Sequence, residues 1–209
     1  MKVAVLANTS LKEELLMQGI KADTELLFAN DLSEFINAAA DAYIDLLFEK
    51  EERNIQQLKS LSSNLVIVNS VIKNHDELPQ NFIRINGWNT LLKRNLIEAS
   101  SKNNEIKTEA EEIFSCFNKK LEWTPDIDGF LSARVIAMII NEAYFALNEK
   151  VSTKEEVDLA MKLGTNYPYG PFEWSEKIGL KNIYALLSEL SKTSSRYEPA
   201  ALLKKESLL

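Results

Sequence analysis

The chain has 209 residues, with 24 Lys and Arg against 31 Asp and Glu, a formal charge of −7 at pH 7. This acidic balance excludes general nucleic-acid binding, which needs many cationic contacts to phosphates. A single Cys, Cys116, and a single His, His75, exclude an internal disulfide framework and a Cys/His zinc cluster. No apolar run approaches the ~18 residues of a membrane span. The opening MKVAVLANTSLKEELLMQG lacks the layout of a secretory leader, since acidic residues follow its short apolar run. A cytoplasmic protein is the expectation.

Lys2–Leu6 (KVAVL) suits a buried strand. Leu11–Gln18 fits a helix stopped by Gly19. Glu25–Phe28 reads as a second strand, Ser33–Asp41 as a helix, Tyr43–Phe48 as a strand and Glu51–Ser60 as a charged helix. Leu65–Val68 and Phe82–Ile85 are further strands. Such alternation predicts crossovers and a mostly parallel sheet. Past a soft boundary at 122–128 (EWTPDID) the chain turns helical. Asp128–Glu149 is apolar on nearly every face, as in a helix buried in a core or interface. Ser152 and Glu155 have capping-box spacing and open a helix that Gly164 would end. Pro168, Gly170 and Pro171 mark a turn, and helices fit Leu180–Lys192 and Pro199–Glu206. The expected architecture is an α/β domain over 1–125 and an all-α domain over 126–209.

A strand running into a helix is where a dinucleotide-binding fold places G-x-G-x-x-G, whose glycines let backbone N–H groups approach a pyrophosphate. Here the three glycine slots hold Ala7, Thr9 and Lys12, and Gly19 is the only glycine before Gly87. Ser10 and Glu13 instead form S-x-x-E, which would cap the helix with its own side chains and consume the donors a phosphate uses. Glu13 and Glu14 place negative charge at that helix start, partly offset by Lys12.

From Asp126 onward the chain resembles the C-terminal domain of the 3-hydroxyacyl-CoA dehydrogenase family. The residues carrying the resemblance are Asp128–Leu131 (DGFL), Asn141–Ala143 (NEA) and Asp158–Gly164 (DLAMKLG). Tyr167–Glu173 (YPYGPFE) and Arg196–Leu203 (RYEPAALL) follow in the family's order. The resemblance implies a reduced Rossmann-like domain before this helical one. It implies an oxidation of the 3-hydroxyl of an acyl-CoA by NAD, with a His taking the proton, a Glu orienting the His, and a Ser and an Asn positioning substrate. It also implies dimerisation through the helical domain.

The family's F-x-G-L-H-F-F-N-P and following L-V-E align without a gap on Phe82–Thr90 and Leu96–Glu98. Glu98 stands at the family's Glu, while Asn86 stands at the base His position. Val71 stands at the Ser position, which the neighbouring Ser70 fills only if the register slips, and Ala133 replaces the Asn. An amide is no general base near neutral pH. His75 lies in a polar stretch, Lys73–Glu77, expected to be an exposed loop. Asn69, Asn89 and the Asn86-Gly87 dipeptide also have a plain structural reading, as turn and backbone-shaping residues. Trp88, Trp123 and Trp174 read as packing anchors.

Three functions remain open. The first is a catalytically degenerate family member with no bound cofactor, serving as a homodimeric binding, regulatory or assembly subunit with acyl-CoA as ligand. The second is a working NAD-dependent dehydrogenase with a rebuilt site that uses Ser70, Asn86, Glu98 and His75. The third is a purely structural dimer. None involves a metal, a nucleic acid or a membrane.

Overall fold

The computed structural model describes residues 1–48, 51–76 and 78–209. The chain forms two compact units, Met1–Ile127 and Asp128–Leu209.

The first unit is a seven-stranded sheet flanked by helices. In chain order it contains β1 (Lys2–Leu6), α1 (Thr9–Leu16), β2 (Glu25–Ala29), α2 (Leu32–Asn37), β3 (Ala42–Asp45) and α3 (Glu52–Leu58). It continues with β4 (Leu65–Asn69), β5 (Phe82–Ile85), β6 (Leu96–Ser100), α4 (Lys107–Cys116) and β7 (Lys120–Trp123). The strand order is β2-β1-β3-β4-β5-β6-β7. All neighbours are parallel except β5 and β6. Alternate residues feed two apolar layers. Val3, Val5 and Ile44 pack with Leu11 and Leu15 of α1 and Ile113 and Phe114 of α4. Ala4, Leu6, Tyr43 and Val68 pack with Phe35 of α2 and Ile55 and Leu58 of α3. Burial on both faces is why β1 and β4 read as continuous apolar runs rather than alternating ones. The chain leaves β1 for one side of the sheet and returns to β3 on the other. Between β1 and β3 lies a topological switch point, the place where open α/β sheets bind ligands.

The second unit is all helical: α5 (Leu131–Asn148), α6 (Lys154–Thr165), α7 (Pro171–Ile178), α8 (Leu180–Ser191) and α9 (Ala201–Ser207). Among the described residues no helix is long and apolar enough to cross a membrane.

Several local expectations are corrected. Asn8, not Ser10, caps α1, its side chain accepting from Leu11 N at 2.9 Å. The backbone is already helical at Thr9, so Ser10 falls inside the first turn. The capping box of α6 is Thr153 with Glu156, one residue later than expected. Gly164 lies within α6, and the helix stops at Asn166 in the left-handed region (φ 55°), which asparagine tolerates. Helix α2 ends at Asn37 rather than Asp41, and β3 at Asp45 rather than Phe48. Strands β6 and β7 and helices α4 and α7 were not expected. The apolar helix α5 buries Ala133, Ile136, Ala137, Ile140 and Tyr144 but leaves Leu131 67% and Val135 51% exposed in the single chain. Burial within the single chain therefore stops short of one stripe, which the expected interface would have to cover.

Candidate functional site

Parallel strands β1, β3, β4 and β5 end on one edge of the sheet, and polar side chains gather there. Asn69 closes β4. Its Nδ2 donates to Leu46 O at 3.1 Å and its Oδ1 accepts from Gly87 N at 2.9 Å. This one amide ties together the exits of β3, β4 and β5. A Cβ on Gly87 would lie 2.9 Å from Asn69 Cγ, so the close approach requires glycine there.

The antiparallel register of β5 and β6 pairs Arg84 with Ser100 and Ile85 with Ala99, which brings Asn86 opposite Glu98. Asn86 N donates to Glu98 O at 2.9 Å, and Asn86 Nδ2 donates to Glu98 Oε2 at 2.9 Å. A carboxylate only accepts, so the amide must turn its NH₂ toward Glu98 and its carbonyl oxygen away. That oxygen is buried and finds no donor among the described residues. An orphan of this kind costs about 1–3 kcal/mol. The pair can therefore hold a polar group, but Asn86 takes up no proton near neutral pH.

The other expected residues do not join this pair as chemistry would require. Ser70 is buried just past β4, and among the described residues its hydroxyl reaches Lys73 O at a long 3.4 Å. Val71 is buried beside it. His75 is not on an exposed loop; it is 1% exposed, with Nε2 2.8 Å from Phe82 O. Because a carbonyl accepts, Nε2 carries a proton. Burial lowers its pKa, against the opposing influence of the Phe82 carbonyl and the Asp126 charge. Phe82 begins β5 and Asn86 follows its end, so the two sites are separated by roughly 13 Å of extended chain. Glu77, in the same polar stretch, lies outside the described residues.

What buries His75 is a network that the sequence reading did not anticipate. Arg84 is fully buried, and its guanidinium donates to Asp126 at 2.5 Å, Ser70 O at 3.0 Å and Ile127 O. Asp126 also accepts from His75 N at 2.9 Å and Ser100 Oγ at 3.3 Å. A clue existed: an arginine within the apolar strand FIRI must have a partner if it is buried.

The connection from β5 to β6, residues 86–95, is clamped by side chains. Thr90, at φ 74°, gives its N–H to the Glu14 carboxylate at 2.7 Å, as Lys93 does at 3.2 Å. Asn89 Nδ2 donates to Ser10 Oγ at 2.7 Å, and Gln18 Nε2 to Lys93 O at 2.9 Å. The buried Lys119 ammonium donates to Leu92 O and Arg94 O, and burial pushes its pKa down to about 8.

A dinucleotide phosphate does not fit the residues at the start of α1. The Asn8 side chain holds the N–H of Leu11. Asn89 lies on Ser10. Lys12 places its ammonium 3.8 Å from the Phe28 ring centroid. Asp31, the acid at the end of β2, is engaged as the N-cap of α2, accepting from Glu34 N at 2.8 Å. Among the described residues no group of three or more His, Cys, Asp or Glu is placed to hold a metal ion.

In the second unit the motif residues form clamps. Asp158 accepts from Phe172 N at 2.8 Å and Glu173 N at 3.1 Å, completing the first turn of α7. A Cβ on Gly170 would lie 2.2 Å from Asp158 Oδ1. Desolvation raises the Asp158 pKa against the pull of those two N–H groups. Asn141 accepts from Ala200 N at 2.8 Å and donates to Glu198 O at 2.9 Å, fixing the bend before α9. Ala133 is buried in α5.

Comparison with known proteins follows this division. The family model described as 3-hydroxyacyl-CoA dehydrogenase, C-terminal domain, matches residues 129–207. A 3-hydroxyadipyl-CoA dehydrogenase of Escherichia coli K12 is 44% identical over 86 residues, 40% of this chain and 18% of that protein. A 3-hydroxybutyryl-CoA dehydrogenase of Bradyrhizobium diazoefficiens is 30% identical over 132 residues, 61% of this chain and 45% of that protein. The chain thus spans less than half the length of both curated relatives. A crystal structure of an (S)-3-hydroxybutyryl-CoA dehydrogenase from Ralstonia eutropha has the same fold, with TM-score 0.74 at 18% identity, covering 98% of this chain and 92% of that one.

Proposed function

We propose that this chain is a member of the 3-hydroxyacyl-CoA dehydrogenase family without hydride-transfer activity, a cytoplasmic acyl-CoA-binding, regulatory or assembly subunit; the matches in its helical unit support the family. The observation that carries this reading is the Asn86–Glu98 pair: an amide that takes up no proton stands hydrogen-bonded to the acid that would orient a base. The capped start of α1 supports it further, since a hydride acceptor would need phosphate donors there.

The subunit is a homodimer through its helical unit. The stripe of Leu131, Val135 and Phe145 along α5, with the exposed Leu159 and Leu163 on α6, supports this reading. Sedimentation at micromolar concentration is expected to give twice the mass of one chain; a monomer mass overturns this part.

The function is tested by titrating the protein with NADH and following nicotinamide absorbance after adding acetoacetyl-CoA. The expected result is no saturable NADH binding and no oxidation by a well-folded protein. Saturable binding with turnover makes it an active dehydrogenase with a rebuilt cofactor site.

A further inference from the structure

Asn86 has a direction built into it. Its NH₂ is held by Glu98 Oε2, and a carboxylate at that point forbids the flipped amide. What remains is the carbonyl oxygen Oδ1, on a side chain that is almost wholly buried, with no donor among the described residues. Four donors nearby are committed elsewhere. Asn86 N goes to Glu98 O, Gly87 N to Asn69, the Asn89 amide to Ser10 and Thr90 N to Glu14. This stretch therefore presents a buried, unpaired acceptor at Asn86.

We propose that Asn86 Oδ1 is a ligand-binding acceptor that selects a 3-hydroxyacyl thioester over its 3-keto counterpart. The inference rests on the acyl-CoA reading above and adds a polarity to it. An alcohol donates into Oδ1. A ketone carries only lone pairs and sets oxygen against oxygen. An imidazole at the same place would serve both forms, since it can donate from one nitrogen and accept at the other. The exchange of His for Asn thus converts a position that serves both oxidation states into one that reads a single state. A site whose buried polar group is left unpaired by the wrong ligand discriminates more strongly than an apolar pocket can.

The test is isothermal titration of the full 209-residue chain with 3-hydroxybutyryl-CoA, acetoacetyl-CoA and butyryl-CoA, which lacks the 3-oxygen. The hydroxy ester is expected to bind at least about tenfold tighter than the keto ester, with acetoacetyl-CoA no tighter than butyryl-CoA. In Asn86→Leu, of similar shape, the two oxygenated esters should come within about twofold of each other while butyryl-CoA affinity is kept. Glu98→Gln gives a second check, because a glutamine can also donate and so lets the Asn86 amide turn; the preference should shrink there too. Equal or tighter binding of acetoacetyl-CoA by the unaltered chain overturns the inference and leaves the acyl-CoA reading standing. Binding of none of the three esters overturns both.

Discussion

The two units use their recognisable residues in opposite ways. In Asp128–Leu209 the motif residues hold helices together: Asp158 finishes the first turn of α7, Gly170 makes room for it, and Asn141 pins the bend at Glu198–Ala200. In Met1–Ile127 the strand order of a ligand-binding sheet is present, but the residues at its strand ends carry altered chemistry, Asn86 and Asn8 above all. The features by which the helical unit resembles the 3-hydroxyacyl-CoA dehydrogenase C-terminal domain are thus architectural. Resemblance in the helical unit gives ancestry and packing. The sheet edge is where activity must be judged.

The comparison is broken most sharply by removing a charge inside the sheet unit. Asp126→Ala removes the carboxylate that pairs with Arg84, which is 0% exposed. A loss of about 3–5 kcal/mol is expected by urea unfolding. A loss under 1 kcal/mol would mean that the other partners of the guanidinium suffice to support it. Gly170→Ala comes next, at about 3 kcal/mol, because its Cβ meets the Asp158 carboxylate. Adding Asp158→Ala should recover part of that loss, and strictly additive effects would disprove the clash. Asn141→Ala removes both bonds to the bend before α9 and should cost about 2 kcal/mol, read as a lower thermal midpoint.

The same contrast governs what could be read from the sequence. β1 matches its expected range because burial on both faces leaves an unbroken apolar run. β7, at the sheet edge, alternates exposed and half-buried residues over only KLEW, too short a signal to separate from a loop. Helix α4 does carry a signal, Ala110, Ile113, Phe114 and Phe117 at helical spacing. Of the site, the identities Asn86 and Glu98 were legible, and the antiparallel register that joins them was not, since it depends on where a ten-residue connection returns the chain. His75 shows the same limit. Its neighbours Lys73, Asn74 and Asp76 are polar, so the segment reads as solvated. In the fold it is buried, and Asp126, 51 positions away, accepts its backbone N–H.

That burial gives the smallest and most specific prediction. In the folded state His75 holds Nε2–H on the Phe82 carbonyl, and the charged groups facing it are Arg84 and Asp126. Burial sets its folded pKa below the unfolded value of about 6.5. Between those two values the unfolded chain binds more protons, so stability falls as the pH falls below about 6.5 and is fully present above it. The slope approaches at most about 1.4 kcal/mol per pH unit. His75→Gln keeps an N–H for the Phe82 carbonyl but cannot titrate, so it should lose this dependence. Urea midpoints for both proteins at neutral and mildly acidic pH give the difference directly, and other titrating groups cancel. A gap that closes on acidification places the imidazole inside the Arg84–Asp126 network as a neutral structural group. Parallel curves would show that His75 is solvated in solution, and would return it to the list of side chains free to act on a ligand.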